Sequence, residues 1–342
     1  MYNINDIRHV HLEISSRCNA SCPLCPRNLH GYPFNDGYVE RDLSLEDAKK
    51  IFKPEFLGQL TSLLINGNLG DMVMNADSLD IIKYFREHNS TMDITISTNG
   101  GARPTSFWQD LAKLNCKIWF CVDGLEDTNH LYRQNVVWNI VMNNATAFIN
   151  AGGHATWQLI DFNFNRPQRD TIQKLAKSMG FKKFKIVNDS RNTTPVFDKT
   201  GKLLHTIGTP TETNFQKIIW GKKNNEVLVE DVMPKEIKKI NCLAVENQSL
   251  YVTSTGEVYP CCWTGCAPTT YGHGNYMEVA NKQIANLIKS NNALENSLES
   301  CIKWFDSIEK SWTIDNFNNG RLLMCQDRCS NEEYHKIKST KF

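Results

Sequence analysis

Short apolar stretches alternate with longer segments of helical periodicity through the first two-thirds of the chain. His9–Ile14, Ser62–Asn66, Asp93–Ser97, Lys117–Val122, Thr156–Phe162 and Lys183–Val187 read as strands. Between them, Leu45–Phe52, Ser78–His88, Phe107–Leu114, Asn135–Ala151 and Gln168–Met179 read as amphipathic helices. Ser44 with Asp47 makes a capping pair for the first helix, and Gly180 stands where the last needs a C-cap. Strand–helix alternation of this kind predicts a parallel sheet with right-handed crossovers. Six such units are too few to close an eight-stranded barrel. The expected fold is therefore α/β, an open partial (β/α)6 barrel, with its ligands at the C-terminal ends of the strands.

From about Asp189 the pattern loosens into turn chemistry: Thr193-Thr194-Pro195, Asp198-Lys199-Thr200-Gly201 and Gly208-Thr209-Pro210. The expected division is a barrel over 1–188, a bridging segment over 189–241, and a small cysteine-rich α+β domain over 242–342. There is no internal repeat and no low-complexity tract.

Bulk properties narrow the classes. Over 342 residues the hydrophobic content is 41%, the charged content 22% and the formal net charge +1. These are ordinary globular values, with no electrostatic footprint for nucleic acid or an anionic membrane. No apolar run approaches the roughly 18 residues of a membrane span, and Met1–Asp6 lacks the basic-then-apolar pattern of a secretory signal. A cytoplasmic protein is expected. Twelve cysteines in such a chain point to metal or redox chemistry rather than disulfides.

The cysteines cluster. Cys18, Cys22 and Cys25 form C-x3-C-x2-C just past the first expected strand, and seven more lie between Cys242 and Cys329. Three close thiolates can hold three irons of a 4Fe–4S cluster and leave the fourth without a protein ligand, as catalytic metal sites leave one position open. The competing reading is a zinc knuckle with His30 as fourth ligand, which Pro23 and Pro26 would also suit. Such knuckles normally sit in small hairpins, whereas this triplet follows the first strand of an α/β pattern. Cys116 and Cys121, beside Ile118, Trp119 and Phe120, read as core residues.

The triplet and its position resemble the radical S-adenosylmethionine (radical SAM) enzymes. The resemblance implies a site for the methionine amino group at the end of the second strand, where Asn66-Gly67-Asn68-Leu69-Gly70-Asp71 stands. This departs from the commoner Gly-Gly-Glu form, and Asn68 and Asp71 are the candidate acceptors. Ser97-Thr98-Asn99-Gly100 and Val122-Asp123-Gly124 follow the next two strands. They look like family motifs in which Ser97, Asn99 and Asp123 would meet ribose hydroxyls or the methionine carboxylate. Gln158 and Asn165, on the fifth strand and at its exit, would contact adenine or methionine, and Leu24 would cover the adenine face. Read without the resemblance, each segment is an ordinary loop after a strand.

The C-terminal cysteines resemble the auxiliary-cluster domains of the same enzymes, called SPASM with two clusters and twitch with one. Cys242, Gly256 and Cys261 give C-x13-G-x4-C, and Cys325 and Cys329 close the set with C-x3-C. A hairpin glycine tolerates the positive φ needed to bring distant thiolates together. These four thiolates would complete a second 4Fe–4S cluster, and the absence of a cysteine after Cys329 favours the twitch form. Cys262, Cys266 and Cys301 are left over, as buried small hydrophobes or free thiols, unless Cys262 or Cys266 replaces a ligand.

The resemblance implies a chemistry. SAM would chelate the open iron, and reductive cleavage would give a 5′-deoxyadenosyl radical that abstracts hydrogen from substrate. The auxiliary cluster would accept or relay an electron, which fits a net oxidation. A flavodoxin or ferredoxin would supply the reducing electron. The first cluster cysteine arrives at position 18 and little follows Cys329, which leaves no room for a leader-binding domain and favours a small molecule over a peptide. Arg27, His30, Tyr32, Arg133 and Arg191 are candidates to meet substrate, each equally readable as structural or solvent-facing. The reading from another class is a non-catalytic zinc or iron–sulfur protein, which has no use for the strand-end motifs.

Overall fold

Val10 and Leu12 are buried on one side of the first strand, β1 (His9–Leu12), while His9 and His11 face the other side half-buried. The same alternation runs through β2 (Ser62–Ile65) and β3 (Asp93–Thr98). It continues in β4 (Lys117–Cys121), whereas β5 (His154–Asp161) buries Ala155, Thr156, Trp157 and Leu159, and the edge strand β6 (Lys183–Asn188) buries none of its described side chains. Each of these strands lies parallel to the one before it, with His9 opposite Ser62, Thr95 opposite Lys117 and Thr156 opposite Lys183. The computed structural model describes residues 1–29, 32–33, 39–188, 194–198, 200, 202–208, 236–266 and 275–330. Side chains are described for all of these except 29, 32, 33, 188, 194, 266 and 275–278.

Helices α1 (Leu45–Ile51), α2 (Pro54–Gln59), α3 (Ser78–His88), α4 (Thr105–Lys113), α5 (Trp138–Asn150) and α6 (Arg169–Ser178) connect the strands. Their apolar stripes bury Ile81, Phe85, Trp108, Leu111, Phe148 and Ile172 in one core with Leu12, Ile65, Ile96, Phe120 and Trp157 of the strands. Trp108 meets Phe120 at 5.2 Å between ring centroids, and Trp157 meets Phe181 at 5.3 Å. With one sheet face covered in this way, the opposite face carries His11, Leu64, Ser97, Trp119, Gln158 and Lys185, and is available to ligands.

Local signals explain the element ends. The Ser44 hydroxyl accepts the Asp47 N–H, and the Asp47 carboxylate accepts the Ser44 N–H, completing the expected capping box. Gly180 adopts φ +90° after α6, as the C-cap requires. The fifth helix begins at Trp138 rather than Asn135 because Asn135 has φ +64°, outside helical space.

Two strands add to the sheet beyond the six expected. β7 (Ser249–Val252) lies parallel to β1 on the side away from β2, and β8 (Val258–Tyr259) returns antiparallel to β7. The eight-stranded order is β8-β7-β1-β2-β3-β4-β5-β6. Gly256, at φ +90°, makes the turn between β7 and β8. Helices α7 (Leu243–Glu246), α8 (Cys262–Cys266), α9 (Asn275–Ala285), α10 (Leu298–Cys301), α11 (Phe305–Ser311) and α12 (Leu323–Cys329) complete the C-terminal part. Thr194–Phe197 and Leu203–Ile207 pair as a separate antiparallel hairpin, with Val196 and Ile207 buried in the core. Among the described residues, no helix is long and apolar enough to cross a membrane.

Candidate functional site

Cys18, Cys22 and Cys25 lie on the turn that leaves β1 at its C-terminal end. The Cys22 carbonyl accepts the Cys25 N–H at 3.0 Å, and the Cys25 carbonyl accepts the Asn28 N–H at 2.9 Å, which coils the segment so that its thiols share a side. Burial pushes the Cys18 thiol up to about 12 and the Cys22 thiol to about 11, and nearby acidic groups and partner thiols add to the rise. Burial also raises Cys25. Three thiolates gathered out of water repel one another and call for a cationic core. Each also has an N–H donor: the Ala20 amide reaches Cys18 at 3.4 Å, Asn99 Nδ2 reaches Cys18 at 3.6 Å and Arg133 Nη1 reaches Cys22 at 3.7 Å. The Arg27 backbone N–H faces Cys25. Donors aimed at sulfur are what surround cluster thiolates, so the triplet fits an iron–sulfur cluster.

The strand-end segments converge on this turn. Gly70 packs so closely on the Ser15–Ser16 backbone that a methyl group there would overlap the Ser15 carbonyl. Asp71 is buried, and its carboxylate accepts from Thr98 Oγ1 at 2.7 Å, Asn99 N at 2.7 Å, Asn99 Nδ2 at 2.8 Å and Val73 N at 3.2 Å. Expected to receive the methionine amino group, Asp71 instead has both oxygens committed to protein donors and braces β2 against β3. Asp123 is likewise a brace. Its carboxylate takes the Ile160 N–H and the Arg133 Nε–H at 2.6 Å each, and it is fully buried. Asn99 bridges Asp71, Asn19 and Cys18. Asn165, also buried, ties the Asp123 and Ile160 carbonyls together.

Ser97 and Gln158 stand on the open sheet face. Both contact Cys121, Ser97 Oγ at 3.3 Å and Gln158 Nε2 at 3.5 Å. Cys121 was expected in the core. It is buried there, as Cys116 is, with its thiol between these two polar groups. Leu24 is half-buried and packs on the core edge beside Cys25. Asn66, Gly67 and Asn68 line the loop after β2, with the Asn66 carbonyl accepting His11 Nε2–H at 2.6 Å. His30 and Arg191 lie outside the described residues, as do the side chains of Tyr32 and Cys266. Arg27 pairs with Glu40 and Arg133 with Asp123.

The second constellation sits at the other end of the same strands. Cys242, Cys261, Cys325 and Cys329 interact electrostatically in every pairwise combination. A thiol–thiol hydrogen bond with Cys329 leads the rise of Cys242, followed by burial and the other three charges. Burial and the neighbouring thiols raise Cys261 and Cys325 as well. Cys261 receives the backbone N–H groups of Trp263 and Thr264. This quartet has the ligand number and donors of a complete 4Fe–4S site. Cys301 lies in the core, raised to about 11 by burial alone. Among the described residues, no three His, Cys, Asp or Glu side chains converge as the ligands of a single metal ion do.

A cavity of about 80 Å³ adjoins the quartet, lined by Cys242, Cys261 and Cys329 and by His9, His11, Ser62 and Tyr251. His9, Ser62 and Ser249 begin β1, β2 and β7, so the cavity lies at the N-terminal ends of strands whose C-terminal ends carry the triplet. Four residues of β1 separate the two levels, on the order of 13 Å. Between them Glu13, 2% exposed, accepts the Tyr251 hydroxyl and the Asn68 N–H at 2.6 Å. Burial raises Glu13 to about 7 against the opposing pull of these donors. Neither Glu13 nor Tyr251 was singled out in the sequence, although an acidic residue inside the apolar run Leu12-Glu13-Ile14 was an available signal.

No protein-family model and no curated protein matches the chain. Among solved structures it is similar to Streptococcus suis SuiB bound to S-adenosylmethionine, with TM-score 0.57 at 14% identity over 93% of this chain and 72% of that one. SuiB bound to the precursor peptide SuiA gives TM-score 0.54 at 15% identity over 93% and 70%. The structure of anSMEcpe with bound AdoMet gives TM-score 0.55 at 14% identity over 97% and 91%. These likenesses are of fold, and they agree with the six parallel strands derived above. The chain has the radical SAM partial-barrel fold.

Proposed function

We propose that this chain is a radical SAM enzyme carrying one auxiliary 4Fe–4S cluster and acting in a net oxidation. The observation that supports the reading is the pair of thiol sets at the two ends of one sheet: a triplet at the strand C-termini that would leave one iron open, and a quartet near the N-termini that would close a second cluster. Cys18, Cys22 and Cys25 would hold the SAM-binding cluster, and Cys242, Cys261, Cys325 and Cys329 the auxiliary one. When bound, the first cluster with SAM would supply one-electron radical chemistry for hydrogen abstraction, and the second would supply an electron acceptor.

The chain's own residues supply position and exclusion of water. Asn66–Asn68 would face the methionine amino group, with Asp71 holding their loop. Ser97 and Gln158 would meet the nucleoside and methionine, and Leu24 the adenine. Asn99 and Asp123 support the site from behind, the latter by fixing Arg133 beside Cys22. The buried strand floor beneath would shield the radical from quenchers.

For substrate we infer a peptide rather than the small molecule expected from the sequence. The similar SuiB structure holds a precursor peptide and a similar anSMEcpe structure holds the Cp18Cys peptide. The test is anaerobic reconstitution with iron and sulfide, metal counting, and assay of SAM cleavage with dithionite. The reading expects about eight irons per chain and release of 5′-deoxyadenosine, increased by a peptide encoded beside this gene. Bound zinc, or intact SAM with both clusters loaded, overturns it.

A further inference from the structure

Tyr251 spans the distance between the quartet and the loop after β2. At one end its ring lies against Gly265 in α8, so closely that a methyl group on Gly265 would overlap the ring. The α8 helix follows directly from Cys261, whose carbonyl accepts the Gly265 N–H at 3.1 Å and whose thiol faces Thr264 Oγ1 at 3.6 Å. The same ring borders the cavity beside Cys242, Cys261 and Cys329, and tilts against His11 at 4.8 Å. At the other end the Tyr251 hydroxyl donates to Glu13 and accepts from Asn68 Nδ2 at 3.1 Å. Glu13 also accepts the backbone N–H groups of Asn68 at 2.6 Å and Leu69 at 3.4 Å. The phenol, the carboxylate and Asn68 thus form a closed triangle that fixes the loop.

We propose that Tyr251 is a rigid strut through which occupancy of the quartet is felt at the SAM site, so that filling the quartet tightens SAM binding and SAM binding favours a filled quartet. This rests on the radical SAM reading above. The physical chain is contiguous. A cluster that takes Cys261 fixes the first turn of α8, α8 fixes the ring through Gly265, and the ring sets the phenol that holds Glu13 and Asn68. Reciprocity follows because a coupling free energy acts equally on both ligands. Tyr251 is a positioning residue here, since it acts through Glu13 and Asn68.

The experiment measures the dissociation constant of radiolabelled SAM by anaerobic equilibrium dialysis on reconstituted full-length protein, with iron counted in each sample. Cys325→Ala/Cys329→Ala should keep about four irons and bind SAM about tenfold more weakly, within the usual range of such coupling. Tyr251→Phe, which loses the donor to Glu13, should bind about as weakly while keeping about eight irons. Gly265→Ala, which keeps the phenol but displaces the ring, should do the same and carries the test if the double cysteine variant does not fold. Combining Tyr251→Phe with the cysteine changes should weaken SAM no further, as expected for residues on one path. SAM should also alter the electron paramagnetic resonance line shape of the reduced triplet cluster less in the variants than in the wild type. Wild-type affinity in Tyr251→Phe and Gly265→Ala, or losses that multiply in the combined variant, overturns the strut. A fully loaded wild-type protein that binds no SAM overturns the radical SAM reading itself and the strut with it.

Discussion

Asp71 is the test of whether the loop after β2 is held from within the protein. Its two carboxylate oxygens take four donors between 2.7 and 3.2 Å, all in a buried setting. In Asp71→Ala the Thr98 hydroxyl can turn and the Asn99 side chain keeps Asn19 at 2.9 Å, but the backbone N–H groups of Val73 and Asn99 lose their acceptor. Each such buried N–H costs about 1–3 kcal/mol, so Asp71→Ala should lose roughly 2–6 kcal/mol. Asp71→Asn keeps one oxygen for the Asn99 donors and turns an amide toward Val73 N, leaving one orphan and a loss of about 1–3 kcal/mol. Against a total stability of about 5–15 kcal/mol, the alanine variant is marginal and the asparagine variant folds. The assay is urea unfolding followed by tryptophan fluorescence at fixed slope, with iron at the triplet counted in parallel. Iron loading should fall in the same order, because Asn99 Nδ2 also reaches Cys18. An alanine variant within about 1 kcal/mol of wild type would refute the brace.

Three further outcomes follow from the same geometry. Glu13 is raised from 4.5 to about 7, so between those values the folded chain holds a proton that the unfolded chain has released; stability therefore falls as pH rises through that window, by about 3 kcal/mol in all. Glu13→Gln should remove this slope in urea midpoints measured from pH 5 to 8, and an unchanged slope sinks the assignment. Arg133→Met should cost about 3–5 kcal/mol by stranding the buried Asp123 charge, read by the same unfolding assay, where a loss below about 1 kcal/mol would contradict a buried ion pair. Gly70→Ala drives a methyl into the Ser15 carbonyl and should cost at least about 1–3 kcal/mol, with weaker iron retention at the triplet; full retention and unchanged stability would show that the backbone there gives way.

The parallel strands were legible because β1 to β4 carry their own apolar alternation and all six alternate with periodic helices. β7 and β8 were not, since Leu250, Tyr251 and Val252 of β7 are all buried and show no alternation, β8 has only two residues, and the partner of β7 is β1, far off in sequence. Pro54–Gln59 escaped for the same reason of length. In the site, cysteine spacing marked the ligand sets. It could not say which polar residues face a ligand and which face the protein. Asp71 and Asp123 sit on motifs that the sequence assigns to a cofactor, yet folding supplies each with buried donors that no spacing reveals. Tyr251 and Glu13 meet only because β7 pairs with β1.

The central claim is that the triplet and the quartet are separate metal sites, each able to hold iron without the other, and that the first alone cleaves SAM. A variant with Cys18, Cys22 and Cys25 all changed to alanine, reconstituted anaerobically and counted for iron, tests it most directly. The account predicts about four irons retained and no dithionite-dependent 5′-deoxyadenosine. Loss of all iron, or continued cleavage of SAM, would contradict it.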